Sequence, residues 1–119
     1  MPKETPLTES QIQERLGGLP GWRYEGGMIR CTYQTDGWPT TLMLVNAIGF
    51  LAEGADHHPD LAVRWGSVDV AFSTHSAGGI TAKDFELAQL VDRTALWRPA
   101  TGSALRGTSR QQFVSRDRS

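Results

Sequence analysis

Glu53-Gly-Ala-Asp-His-His-Pro-Asp60 is the stretch on which the chain turns from helix to strand. Upstream of it, Leu42, Val45, Ile48 and Leu51 recur at helical spacing, and Leu44 and Ala52 widen the apolar stripe. Asp36 is the expected N-cap of this central helix, with Pro39 in the first turn, where a missing N–H costs little. Pro59 ends the helix near Asp56 to His58, because a residue before proline is pushed out of helical geometry. Downstream the period changes to two. Leu61, Val63 and Trp65 share one face, Gly66-Ser67 makes a tight connection, and Val68, Val70 and Phe72 share a face again, which predicts a β-hairpin.

Working outward, Thr8 and Gln11 form a capping-box pattern for a short helix over about Glu9 to Leu16, with Gly17, Gly18 and Pro20 beyond it. Trp22 to Glu25 and Met28 to Tyr33 flank Gly26-Gly27, which predicts a first hairpin with Ile29, Cys31 and Tyr33 on one face. On the other side, Thr81 and Asp84 fit N-cap and N3 of a last helix, with Ile80 and Phe85 at the positions of a hydrophobic staple. Phe85, Ala88, Val91 and Ala95 carry that helix to about Trp97. The order α-β-β-α-β-β-α predicts an α+β fold: a four-stranded antiparallel sheet with three helices packed on one face.

A chain of 119 residues is expected to be one domain, here over residues 1–99. Residues 100–119 are rich in Gly, Ser, Thr and Arg, poor in large apolar groups, and expected to form a mobile basic tail whose deletion leaves the fold intact. A formal net charge of −1 speaks against a nucleic-acid partner for the chain as a whole. A single cysteine, Cys31, allows no internal disulfide; the start of the chain lacks the apolar core of a signal peptide, and no apolar run is long enough to span a membrane. The expected location is the cytoplasm. Four short strands leave two sheet edges with unpaired backbone groups, so self-association into at least a dimer is expected.

All three histidines lie at the ends of predicted elements: His57 and His58 after the central helix, and His75 after the strand that ends in Ser73-Thr74. Imidazole titrates nearest neutral pH, so histidines gathered at element ends suit proton transfer. Strand parity puts His75 with Asp69, Ala71 and Ser73, away from the apolar face, unless the chain bends there.

Glu53-x-x-x-His57-His58-Pro59, then Trp65-x-x-Val68, resembles the signature of the pterin-4a-carbinolamine dehydratases. Ser73-Thr74-His75 and Gly79-Ile-Thr81-x-x-Asp84-x-x-Leu87-Ala88 resemble that family's second half, and the resemblance covers roughly Leu16 to Arg93. Around Asp36 to Thr41 this chain has tryptophan and proline where the family usually has a phenylalanine-containing stretch, and its tail runs past the usual end.

The resemblance implies loss of water from a 4a-hydroxytetrahydropterin to give the quinonoid dihydropterin, a step that recycles the cofactor of aromatic amino-acid hydroxylases. It implies catalysis by His57, His58 and His75, a pterin site that includes Pro59, Thr74 and Asp84, no cofactor, no metal, and a homodimer or homotetramer. Asp84 would orient a histidine or bind the pterin edge, besides capping its helix. The chemistry suits imidazoles: a ring nitrogen's lone pair expels the neighbouring hydroxyl once an acid protonates it, and a base removes the N–H proton. Two other readings stand beside this one. A histidine-only zinc site is disfavoured, because adjacent histidines converge poorly on one ion and no HExxH or second cysteine is present. A non-catalytic dimerisation or assembly module on the same fold is the stronger competitor, and such relatives tend to lose the histidines kept here.

Overall fold

The computed structural model describes residues 4–110 and 113–116. Helix α1 (Glu9–Leu16) begins with the expected capping box: the Gln11 amide donates to Thr8 Oγ1 at 3.2 Å, and the Thr8 amide donates to Gln11 Oε1 at 2.8 Å. Strands β1 (Arg23–Glu25) and β2 (Met28–Thr35) then pair across Gly26-Gly27, both of which take the positive φ that a tight hairpin turn requires. Helix α2 (Trp38–Ala55) leads to the hairpin of β3 (Asp60–Arg64) and β4 (Ser67–Phe72). A single 3-10 turn over His75–Ala77 and helix α3 (Ala82–Ala95) follow.

The antiparallel sheet has the order β1-β2-β4-β3. Its inner face carries Ile29, Cys31 and Tyr33 from β2 and Val68, Val70 and Phe72 from β4, all at most 1% exposed. Ile12 of α1, Leu44 and Ile48 of α2, and Phe85, Ala88 and Val91 of α3 close over that face, so the three helices lie on one side. Fully burying a side chain of the size of Phe72 or Ile48 contributes about 1.5–3 kcal/mol, and this layer is the main source of stability.

A fifth strand, β5 (Val114–Arg116), lies in the tail that was expected to be mobile. It pairs antiparallel with the second half of β2, Thr35 opposite Val114 and Tyr33 opposite Arg116. Strand β1 pairs with Met28 to Arg30, so the edge of β2 away from β4 is paired at both ends. Val114 is buried in the core cluster.

Several local expectations shift. The N-cap of α2 is Gly37 at φ 140°, not Asp36, whose carboxylate instead pairs with Arg110 at 3.1 Å. The buried stripe of α2 is Thr41, Leu44, Ile48 and Ala52, while Leu42 is 41% exposed. Val63 and Trp65 of the β3 hairpin are exposed because β3 is an edge strand. Helix α3 stops at Ala95, short of Trp97.

Cys31 gives a direct check on this core. Burial first, and then the charge of Asp92, pushes its thiol up to about 12 from 9.0. The same burial, together with Cys31 and Asp92, pushes the Tyr33 phenol up. Folding therefore favours the protonated forms, and stability is expected to fall as pH rises from 9 towards 12. With so little thiolate, native Cys31 should alkylate about 10³-fold more slowly at pH 9 than in the denatured chain. Equal iodoacetamide rates in the two states would contradict a sealed core.

Candidate active site

The end of α2 delivers the first histidine. Asp56 takes a left-handed conformation at φ 51° as C-cap, and the His57 amide donates to the Ala52 carbonyl at 3.1 Å. The His57 ring thereby turns inward, stacked on Phe72 with centroids 6.1 Å apart and an interplanar angle of 12°. Its Nε2 lies 2.6 Å from Asp84 Oδ1.

Asp84 is wholly buried. Its Oδ2 accepts from the Thr74 hydroxyl at 2.8 Å and from the Thr81 amide at 2.9 Å. Because Thr74 spends its proton on Asp84, the Thr81 hydroxyl donates to Thr74 Oγ1, 2.8 Å away. With Asp84 ionised, the carboxylate is an acceptor on every side, and His57 Nε2 carries the hydrogen between them. In neutral imidazole this leaves Nδ1 as the atom with a free lone pair. A helix cap, a strand end and a helix end meet in one network that fixes the tautomer of His57.

His58 turns the other way. Its Nε2 lies 2.9 Å from Glu53 Oε2, and both side chains are exposed. Pro59 stands between it and the start of β3. His75 is exposed at the head of the 3-10 turn, so the parity of β4, which ends at Phe72, does not govern its direction. Its neighbour Thr74 ties that turn to the Asp84 network. Among the described residues His75 makes no side-chain hydrogen bond, and no group of three or more His, Cys, Asp or Glu could hold a metal ion. A cleft of 390 Å³ opens beside His57, lined by Ala55, Lys83, Glu86, Leu87, Leu90 and Arg93.

A family profile described as pterin 4 alpha carbinolamine dehydratase matches residues 5–94, which span α1 to nearly the end of α3. The chain belongs to this family. A Roseiflexus sp. (strain RS-1) protein that bears the provisional name pterin-4-alpha-carbinolamine dehydratase is 47% identical over 88 residues, covering 74% of this chain and 95% of its own. An Aquifex aeolicus protein of the same provisional name is 43% identical over 86 residues, covering 72% of this chain and 87% of its own. The crystal structure of a transcriptional coactivator/pterin dehydratase from Brucella melitensis superposes with a TM-score of 0.71 at 30% identity, covering 74% of this chain and 96% of that one.

Membership of the pterin 4 alpha carbinolamine dehydratase family implies dehydratase chemistry on a pterin carbinolamine. The structure joins His57, Thr74 and Asp84 directly and sets His58 on Glu53. Sequence reading assigned no contact to Glu53 or to Phe72. It gave no site role to Lys83, Leu87 and Leu90, whose i, i+4, i+7 spacing places them on one side of α3 along the cleft.

Proposed function

We propose that this protein dehydrates a 4a-hydroxytetrahydropterin by histidine acid–base catalysis, and so recycles the cofactor of aromatic amino-acid hydroxylases in the cytoplasm. The supporting observation is the 2.6 Å contact between His57 and the fully buried Asp84 at the edge of the cleft. One imidazole protonates the 4a-hydroxyl, and the C–O bond breaks to release water. The ring nitrogen's lone pair forms the C=N bond, and a second imidazole takes the N–H proton, so the protons balance without an oxidant or reductant. His57, His58 and His75 supply these groups, with Pro59, Thr74 and Asp84 shaping the pterin site. The test is dehydration of a freshly generated 4a-hydroxypterin. Turnover above background that survives exhaustive chelation is expected, and wild-type rates equal to background would end this reading.

The non-catalytic module draws on a different observation. Trp38, Leu42, Met43 and Phe50 of α2 are 41–80% exposed, a run of large apolar side chains suited to a protein surface. The Brucella relative is described as a transcriptional coactivator/pterin dehydratase. Self-association is part of both readings. The outer edge of β3 has no strand beside it among the described residues, and Trp65 next to it is 70% exposed. Light scattering is expected to show a homodimer or homotetramer, and a monomer alone at micromolar concentration would refute it.

A further inference from the structure

Beyond the family-matched residues 5–94, the chain folds back on itself and lines a second cavity, of 290 Å³. It shares no lining residue with the His57 cleft. Gly107 takes φ 81° and brings its turn against Pro99, whose ring would lie 3.5 Å from a Cβ added there. Arg98 donates to the Trp97 carbonyl at 2.6 Å and to the Val114 carbonyl at 2.9 Å, which ties the start of this loop to β5. The cavity is thus braced at both ends before anything enters it.

The lining combines two chemistries. Trp97, Pro99, Leu105 and Phe113 supply apolar walls, and Trp97 and Leu105 remain 60% and 61% exposed. Arg98 and Arg106 line the cavity as well, and no carboxylate does. Arg98 stands 5.3 Å from the centre of the Phe113 ring, and Arg110 stands 4.7 Å from it. Of these three arginines only Arg110 has an acidic partner, Asp36. Arg98 spends its donors on neutral carbonyls, so its charge is uncompensated. Among the described residues the Arg106 side chain makes no hydrogen bond and no ion pair. Aromatic faces beside two uncompensated guanidinium groups favour a flat apolar body that carries a negative charge. A volume at the small end of ligand pockets limits that body to about two fused rings.

We propose that this cavity binds small aromatic anions, with the ring against Trp97 and Leu105 and the charged head on Arg106. Neither the histidines nor pterin chemistry enters into this binding. Isotope-labelled protein titrated with naphthoate and followed by NMR reads the site directly. The Trp97 indole N–H and the Gly107 amide are expected to shift together and to saturate, with a Kd on the order of 1 mM or tighter. Naphthylmethanol, the same ring with a neutral hydroxymethyl group, should bind about three- to fivefold more weakly, the factor an exposed ion pair can supply. Arg106→Ala should weaken naphthoate by that same factor and leave naphthylmethanol unchanged. Leu105→Ala should weaken both. Naphthyl phosphate, run alongside, decides whether carboxylate or phosphate is the preferred head, and tighter binding of either head than of the alcohol supports the site. No saturable shift at Trp97 and Gly107, equal affinity for the anions and the alcohol, or undiminished naphthoate binding by Arg106→Ala would overturn it. So would shifts confined to the residues of the His57 cleft.

Discussion

His57→Ala is expected to slow dehydration by about 10²–10⁴-fold, the usual worth of a placed general acid or base, while the protein stays folded. The fold should survive because the ring lies over the end of β4, stacked on Phe72, and its loss leaves one oxygen of the buried Asp84 without its partner, a cost of about 1–3 kcal/mol that a folded domain can bear. Asp84→Asn keeps the shape of the carboxylate but presents an amide to three donors. One of those donors must then go unpaired or His57 must change tautomer, so the rate should fall by about 10²-fold or more, with some loss of stability. His75→Ala should fall in the same range as His57→Ala if the two imidazoles divide the proton transfers. Rates measured across pH, with circular dichroism on each variant, separate chemistry from folding. Wild-type activity in both histidine variants would leave the enzyme standing and take these side chains out of its mechanism.

The residues legible in advance were those whose role is local. Thr8 with Gln11 and Thr81 with Asp84 announce helix starts within four positions, and both caps form. The alternation of Val68, Val70 and Phe72 names the buried face of β4 without ambiguity. Helix α2 defeats the same reasoning because it is apolar on every side. Leu42, Met43 and Phe50 face outward as Leu44 and Ile48 face inward, so periodicity marks a helix but not its buried face. Asp36 looked like a cap because Asp often is one; its long-range partner Arg110 leaves no local trace in the chain. The site divides along the same line. Asp84 could be read as a helix cap that also orients a histidine, and the structure places it on His57. Which histidine it would meet, and that Glu4 would reach Lys83, depend on contacts between distant positions that no short pattern encodes.

Removing all residues after Pro99 is expected to lower the melting temperature by about 10 °C, against the neutral effect that tail composition suggested. The truncation strips Val114 from the core, where it is only 7% exposed, and a buried valine is worth about 1.5–3 kcal/mol. It also bares the second half of β2, whose Tyr33 to Thr35 pair with β5. The third loss is electrostatic. Asp92 on α3 accepts from the Tyr33 hydroxyl at 2.8 Å and from Trp22 Nε1 at 3.3 Å, and its other oxygen lies 3.6 Å from Arg116. Arg116 also donates to the Pro20 carbonyl, and its side chain passes so close to Gly21 that a Cβ there would sit 2.8 Å from it. One tail residue therefore ties the first hairpin to the last helix. Each kcal/mol shifts the midpoint of a domain this small by about 4–8 °C, so the valine alone accounts for most of the expected change. Val114→Asp in the full-length chain should reproduce much of the loss, because a carboxylate at that position must stay in an apolar layer or pull β5 off the edge. If both variants melt with the wild type, the β5 contacts contribute nothing to stability, and the tail is the solvated appendage its composition suggests.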